Sequence, residues 1–270
     1  MSLLVQIATF SMAALALVLF LLQVAAREIG YALGRRAGRP DAPPAEGVGV
    51  VITSMLGLLA FVLGLTLAYA NTRFQERRQE ALAEAQAIGT SWLRAQAVGQ
   101  TSGAEIARLL EDYTRLRLDF VGAPNDPSAL EALERRTGAM QSEIWERLVA
   151  LARERPDPVV AALMNSLNEC FDRAMAQRFA FSRGPAPQLL MLLLGMAMVS
   201  MGGLGYQFGL RGRPLRTPSA LLLAMWTAVL VLIIDLGAPR LGAVRTDPAP
   251  YRWTLESFVG VGSAPPAPDP

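Results

Sequence analysis

Residues 48–70 read VGVVITSMLGLLAFVLGLTLAYA, an apolar run without a charged side chain. At about 1.5 Å of rise per residue, a helix of this length crosses a hydrocarbon core of about 30 Å. Comparable apolar runs occupy roughly residues 3–26, 189–210 and 220–236. Because a soluble protein cannot bury four such helices, the sequence predicts an integral membrane protein with four spans, embedded in a lipid bilayer.

The four apolar runs form two pairs, and a long polar segment separates the pairs. This segment is nearly neutral, with 15 arginines and 16 acidic residues between positions 72 and 186. Its amphipathic pattern is typical of a helical bundle. We therefore predict an all-α integral membrane protein in which two transmembrane helical hairpins flank a soluble four-helix-bundle insert. The predicted divisions are a hairpin over 1–71, the insert over 72–186, a hairpin over 187–238 and a proline-rich tail over 239–270.

The second membrane helix is predicted to continue into the insert. No proline interrupts residues 66–98, and Gly89 is the only glycine there. Apolar residues keep a three- and four-residue spacing along the polar part of this segment, which predicts a buried face. They are Ala81, Ala85, Ile88, Trp92 and Ala95.

Capping residues mark where the later helices of the insert begin. Ser102 and Glu105 fit a capping box, which predicts a helix start at Ser102. Asp126 before Pro127, and Asp157 before Pro158, predict two further helix starts.

The composition argues against most catalytic and cofactor chemistry. The chain has no histidine and one cysteine, so the usual metal ligands and the usual general base are missing. No Walker A loop, GxGxxG run or GxSxG elbow occurs. The glycines at 202, 203 and 205 lie inside the third apolar run, where they indicate close helix packing. We expect no cofactor, no metal and no enzymatic activity.

Charge limits the partners and indicates an orientation. The net charge is only +2, which gives no electrostatic support for nucleic-acid binding. All basic residues are arginine, and seven of them lie in or beside the two short interhelical loops. The arginines of the long insert count little for orientation, because long domains translocate despite their charge. Positive-inside counting places these loops in the cytoplasm of a bacterial inner membrane. The insert and both termini would then be periplasmic. The loop arginines are Arg27, Arg35, Arg36, Arg39, Arg211, Arg213 and Arg216.

Three segments carry a resemblance to a known family. Residues 72–78 read TRFQERR, residues 84–94 read EAQAIGTSWLR, and residues 234–242 read IDLGAPRLG. Together they resemble the bacterial bestrophin-like family of unknown function, over roughly residues 45–258. Gln86 stands where the family usually has asparagine, and Gly237-Ala238 replaces a charged pair.

The resemblance implies a layout and an activity. Bestrophins are pentameric chloride channels in which the second helix lines an apolar neck and the insert forms a soluble vestibule. By this resemblance the chain is a homo-oligomer, and Leu58, Phe61 and Leu65 are the pore candidates. Bestrophins keep both termini and the insert in the cytoplasm, which is the reverse of the orientation that the charges indicate.

Six charged residues are further candidates, each with a structural alternative. Arg73, Arg77 and Arg78 either ring a pore mouth and concentrate anions, or anchor lipid headgroups and pair with nearby glutamates. Glu84 and Arg94 lie too far apart on one helix to pair, so we expect them to contact neighbouring bundle helices. Asp235, the one acid in an apolar run, either pairs structurally near its helix end or takes part in ion or proton passage.

Two functions of different classes remain open from the sequence. The first is an anion-permeable channel with the second helix around the axis. The second is a non-conducting sensor or scaffold that acts through a protein partner. The channel predicts a symmetric oligomer with arginines at the pore mouth. The sensor or scaffold predicts a solid apolar core between the helices and an exposed patch on the bundle or tail.

Overall fold

The structure is a computed structural model, and it describes residues 12–38, 46–182 and 184–262. The described residues are helical, with short connections, and the prediction of an all-α protein is confirmed. The helices are α1 (Met12–Ala37), α2 (Glu46–Val98), α3 (Gln100–Gly122), α4 (Pro127–Glu154), α5 (Pro158–Ser182), α6 (Pro187–Leu210), α7 (Arg216–Gly237) and α8 (Ala249–Gly262).

Four helices contain runs that are long and apolar enough to cross a membrane, as the sequence predicts. They are α1, α2, α6 and α7. The predicted first span begins at residue 3, but residues 3–11 lie outside the described part of the chain. Hydrophobic runs of this length place the protein in a membrane.

The described residues fall into two compact units. The membrane unit lies within Met1–Arg73 and Gly184–Val244, and the bundle unit within Phe74–Arg183 and Arg245–Pro270. The continuous helix α2, which the absence of breakers predicts, contributes its first part to the membrane unit and the remainder to the bundle unit.

Glycines allow α1 and α6 to pack backbone against backbone in the membrane unit. A methyl carbon placed on Gly30 would lie 1.9 Å from the carbonyl oxygen of Gly202, and one on Gly34 would lie 2.1 Å from that of Tyr206. Both contacts advance by four residues in the same chain direction, so the two helices run parallel. On α6, Gly205 approaches the backbone of Arg27 equally closely. The predicted packing role of the glycine cluster is therefore confirmed.

Apolar side chains from all four membrane helices fill the rest of the membrane unit. Leu15 and Leu19 of α1 are buried with Leu59 and Leu63 of α2. One polar bond crosses this interior, because the Gln23 amide nitrogen donates to the Thr227 hydroxyl at 2.9 Å. Further buried members on α6 and α7 are Leu193, Ala197, Leu230, Ile233 and Ile234.

The core of the bundle unit forms around the polar half of α2. All five residues of the predicted apolar face, Ala81 through Ala95, are buried. Trp92 stacks on Phe258 of α8 with ring centroids 4.7 Å apart. The sequence predicts a proline-rich tail over residues 239–270, whereas part of that segment, α8, packs in the bundle core through Tyr251 and Phe258.

Helix boundaries in the bundle follow local chemistry, with one correction. Asp126 accepts the Ser128 amide at 3.0 Å, and Asp157 accepts the Val159 and Val160 amides at 2.9 Å, so both predicted caps are confirmed. The predicted capping box at Ser102 is wrong. Helix α3 begins at Gln100, because Gly99 adopts a positive φ of 64° and turns the chain in one residue.

Candidate functional site

The three predicted pore residues lie on the side of α2 that faces away from the membrane core. The core side is formed by Leu59 and Leu63, which are buried. In contrast, Leu58, Phe61 and Leu65 expose 56%, 63% and 57% of their surface within the protomer. These side chains are therefore available to a pore, to lipid or to another copy of the chain.

A stripe of mostly small residues runs along the same side of α2, and Phe61 is its bulkiest member. Its positions alternate four- and three-residue steps, and all of them are exposed. Methyl carbons placed on Gly57 or Gly64 would have no neighbour within 4 Å. The aromatic ring of Phe61 thus stands between small residues on either side. The outward stripe consists of Val50, Ser54, Gly57, Phe61, Gly64 and Ala68.

The arginines that follow this stripe occupy different environments. The Arg73 guanidinium lies 5.0 Å from the ring centroid of Tyr69 and donates to its hydroxyl at 2.7 Å. Arg78 is exposed and lies 5.9 Å from the Phe74 ring. The Arg77 guanidinium also lies 5.9 Å from the centroid of the Phe74 ring, but Arg77 exposes only 1% of its surface. A buried guanidinium cannot present its charge to ions in solution, so only Arg73 and Arg78 suit a pore mouth.

Glu84 forms a buried ion pair with Arg117 inside the bundle. The Arg117 Nε donates to Glu84 Oε1 at 2.6 Å, and Nη2 donates to Oε2 at 3.1 Å. Glu84 exposes 0% of its surface and Arg117 exposes 2%. This bidentate geometry joins α2 to α3, which confirms that Glu84 contacts a neighbouring bundle helix.

Two further residues close this ion pair into a ring of hydrogen bonds. Arg117 also donates to the side-chain oxygen of Gln177 on α5. The Gln177 amide nitrogen donates to the Tyr251 hydroxyl at 2.7 Å, and that hydroxyl donates to Glu84 Oε2 at 2.6 Å. Four helices, α2, α3, α5 and α8, are thus connected through one buried carboxylate.

Protonation states in this buried ring suit its hydrogen bonds. Burial raises the pKa of the Tyr251 hydroxyl well above its ordinary value of 10.0, and the Glu84 carboxylate adds to the rise. The pKa of the nearby Tyr113 hydroxyl is raised for the same two reasons. Burial alone would lower the pKa of the Arg117 guanidinium, but Glu84, Tyr113 and Tyr251 together outweigh burial and the pKa rises. Tyr251 therefore stays a neutral donor, and Arg117 stays charged.

Arg94 also contacts a neighbouring helix, as predicted. Its Nη1 donates to the backbone carbonyl of Ala162 on α5 at 2.8 Å. The bond ties α2 to α5 and gives Arg94 a structural partner in the bundle.

Asp235 clamps the turn that follows α7. Its carboxylate accepts the backbone N–H groups of Ala243 at 3.3 Å and Val244 at 3.2 Å. Gly242 adopts a φ of 73°, and a methyl carbon placed there would lie 2.2 Å from Asp235 Oδ1. The prediction of a structural partner near the helix end fits this arrangement, and the partners are backbone amides.

Sequence reasoning missed three of the four residues in the hydrogen-bonded ring. Arg117 carried a signal, because it lies four residues after Tyr113 on an otherwise apolar helix face. Gln177 and Tyr251 carried none, since neither spacing nor composition links them to Glu84. Within the described residues, no group of three or more cysteine, aspartate or glutamate side chains is placed to hold a metal ion.

Comparison with known proteins agrees with this architecture. The bestrophin-like domain matches residues 8–251. A search of curated proteins gives no significant match. Two single-residue variants of a bacterial bestrophin homologue from Klebsiella pneumoniae share the fold. One is 17% identical, covers 92% of this chain and 98% of its own with a TM-score of 0.65. The other is 15% identical, covers 94% of this chain and 99% of its own, and has a TM-score of 0.69.

A third structure of the Klebsiella pneumoniae homologue is 16% identical and covers 93% of this chain and 98% of its own, with a TM-score of 0.64. At these identities the likeness establishes the fold. The family match spans most of the 270 residues and agrees with the four apolar helices. The chain therefore belongs to the bestrophin-like family of membrane proteins.

Proposed function

We propose that this protein is an oligomeric, anion-permeable membrane channel whose pore is lined by α2. One observation carries the proposal: the outward stripe of α2 is exposed within the protomer and places one bulky apolar ring among small residues. In a symmetric oligomer with α2 nearest the axis, this stripe would face the pore. Membership of the bestrophin-like family supports this arrangement.

Phe61 would form the narrowest part of such a pore. Rings of glycine, serine or alanine leave a wide lumen, whereas a ring of phenylalanines narrows it and repels water. Apolar constrictions of this kind gate channels by dewetting. Leu58 and Leu65 flank Phe61 on the same exposed side and would extend the apolar neck.

The chemistry beyond the neck suits a hydrated anion. The spacing of the outward stripe continues along α2 with Thr72, Gln75 and Gln79, all exposed and able to hydrogen-bond to water or an ion. Arg73 and Arg78 add positive charge on the same stretch. Charges of one sign around a mouth raise the local concentration of the opposite ion.

We further propose that the short arginine-rich loops lie in the cytoplasm. The parallel packing of α1 and α6 puts their carboxyl ends, and hence both loops, on one membrane face. Positive-inside counting assigns that face to the cytoplasm. A topology reporter fused after Pro270 tests this orientation. A periplasmic signal supports it, and a cytoplasmic signal overturns it.

Ion flux through the purified protein tests the channel proposal. The protein is reconstituted into liposomes, and halide efflux is compared with that from protein-free liposomes. Replacing chloride with a large organic anion, and separately sodium with a large organic cation, identifies the permeant ion. We expect the flux to fall when chloride is replaced and to persist when sodium is replaced. Flux that depends only on the cation would overturn anion permeation, and no flux would overturn the channel.

A non-conducting sensor or scaffold is the second candidate, and exposed groups on the bundle unit favour it. Trp253 and Val259 on α8 expose 63% and 75% of their surface. A pocket of about 200 Å³ also opens between α3, α4 and α5, beside the ion pair of Glu134 and Arg178. Contiguous exposed apolar patches mark interaction sites on soluble domains. Copurification of one stoichiometric partner, abolished by Trp253→Ala, together with absent flux would favour this function.

A further inference from the structure

An apolar groove of about 720 Å³ opens on the surface of the membrane unit. Its walls come from α1, α6 and the first turns of α2, and glycines on all three helices are among its lining residues. Exposed aliphatic side chains border it, among them Ile29, Leu33, Val51 and Val199. This volume lies within the range of roughly 300–1,000 Å³ that is typical of ligand sites.

The groove lies next to the end of the membrane unit where both short loops emerge. Its lining comes from residues 26–33, 47–55 and 198–206. On α1 and α6 these positions are the last turns before the loops. Helix α2 begins at the same end, since a methyl carbon placed on Gly49 would lie 3.0 Å from the side-chain nitrogen of Gln207.

Exposed arginines lie at this end, and few acidic side chains accompany them among the described residues. Helix α1 finishes with Arg35 and Arg36, the connection from α6 to α7 carries two more arginines, and α7 begins with Arg216. Where side chains of the membrane unit are described, Glu28 and Asp235 are the only carboxylates. Asp235 belongs to the far end of α7. Glu28 pairs with Arg27 and lies 3.9 Å from Arg216. The remaining arginines, for which no ion pair with a described acid is found, are Arg35, Arg36, Arg211 and Arg213.

On α1, the apolar residues that line the groove are followed on the same helix face by an arginine. The groove-lining positions Ala26, Ile29 and Leu33 recur at three- and four-residue steps. The next step falls on Arg36, which is exposed. One helix face therefore presents about two turns of apolar surface followed by a guanidinium, which matches the order of an acyl chain and a phosphate.

We propose that this groove binds an anionic phospholipid, phosphatidylglycerol, with one acyl chain along the groove and the phosphate at Arg36. Basic pockets between transmembrane helices bind anionic headgroups, and guanidinium groups suit phosphate geometry. A second copy of the chain would fit this place less well, because it would bring another arginine cluster of the same sign to the same membrane face.

Lipid binding to the purified full-length protein tests this proposal. Native mass spectrometry counts bound phosphatidylglycerol and phosphatidylcholine in titrations of each lipid. We expect preferential binding of phosphatidylglycerol. Arg36→Gln should weaken it about fivefold, the effect of one arginine at a membrane surface, without changing phosphatidylcholine binding. Val199→Trp should fill the groove and remove the bound lipid.

Matched substitutions elsewhere separate the site from general effects. Arg136→Gln removes an exposed charge from the bundle, and Met225→Trp adds an indole to an exposed position of α7. Both should leave lipid binding unchanged. Equal binding of the two lipids, or an unchanged preference in Arg36→Gln, would overturn the proposal even if Val199→Trp does not fold. Loss of the oligomer in Val199→Trp with lipid binding retained would show that another copy covers the groove, and would also overturn it.

Discussion

Tyr251 and Glu84 are separated by 167 residues, and the Tyr251 hydroxyl donates to the Glu84 carboxylate at 2.6 Å. The bond attaches α8 to the helix that we propose lines the pore. The same carboxylate accepts both ends of the Arg117 guanidinium fork. The buried Glu84 carboxylate of α2 therefore binds donors from α3 and α8. Removing either donor leaves a buried carboxylate oxygen with fewer hydrogen bonds.

Tyr251→Phe should lower the free energy of unfolding by about 1–3 kcal/mol, because Glu84 loses a donor and the Gln177 amide loses an acceptor in a buried site. Chemical unfolding in detergent, followed by circular dichroism, measures the change. Tyr69→Phe provides the matched control, since that hydroxyl is exposed and its loss should cost less than about 0.5 kcal/mol. Equal effects of the two substitutions would contradict the proposed importance of the ring.

Alkaline pH should destabilise the bundle. The pKa values of Tyr113 and Tyr251 are higher in the folded protein than their ordinary value of 10.0. The stabilisation from these neutral hydroxyls is therefore complete below pH 10 and is lost as pH rises above it. The slope is about 1.4 kcal/mol per pH unit for each proton released on unfolding. Unfolding midpoints between pH 9 and 12 measure it, and Tyr113→Phe should reduce the slope. An unchanged slope in that variant would contradict the assignment.

Gly30→Ala should disrupt the packing of α1 on α6. The new methyl group would lie 1.9 Å from the Gly202 carbonyl oxygen, a distance that only separation of the two backbones can relieve. We expect a loss of at least about 1–3 kcal/mol, as for overpacked cores. Thermal unfolding and the yield of monodisperse protein report the effect. Gly195→Ala on α6, with no atom within 4 Å of the added carbon, should behave as wild type. Wild-type behaviour of both variants would contradict the parallel helix pair.

Asp235→Asn tests whether this acid serves structure or ion passage. The substitution removes the charge that strengthens two hydrogen bonds to backbone amides, and should lower stability by about 1–2 kcal/mol. Gly242→Ala should have a similar effect, because its methyl group would displace the same carboxylate. Halide flux per folded protein should not change in either variant. A changed ion preference in Asp235→Asn alone would instead place Asp235 on the conduction path.

Features that depend on local spacing could be predicted from the sequence. Apolar runs identify the four spans, and the absence of breakers after Thr66 predicts the long helix α2. The periodicity of Ala81 through Ala95 identifies the buried face, and Asp126 and Asp157 act as caps because a cap needs only the next few residues.

Features that depend on contacts between distant segments could not be predicted. Gly30 contacts Gly202 because two parallel helices approach closely. The local sequence around each glycine does not identify the residue that it contacts. The same holds for Glu84 and Tyr251. Helix α8 was missed because the prolines at 248 and 250 suggested a tail, whereas they stand near the start of a helix, where proline is tolerated. The Ser102 capping box was wrong because Gly99 supplies a tighter turn.

The most direct test of the pore assignment is the halide flux of Phe61→Ala in liposomes. Flux per reconstituted protein is compared among wild type, Phe61→Ala and the matched control Phe179→Ala, which makes the same change at an exposed bundle position. Opening an apolar constriction should raise flux in Phe61→Ala by roughly threefold or more, whereas Phe179→Ala should conduct as wild type. Equal halide flux in all three proteins, at equal insertion, would contradict a pore lined by α2 with Phe61 at its neck.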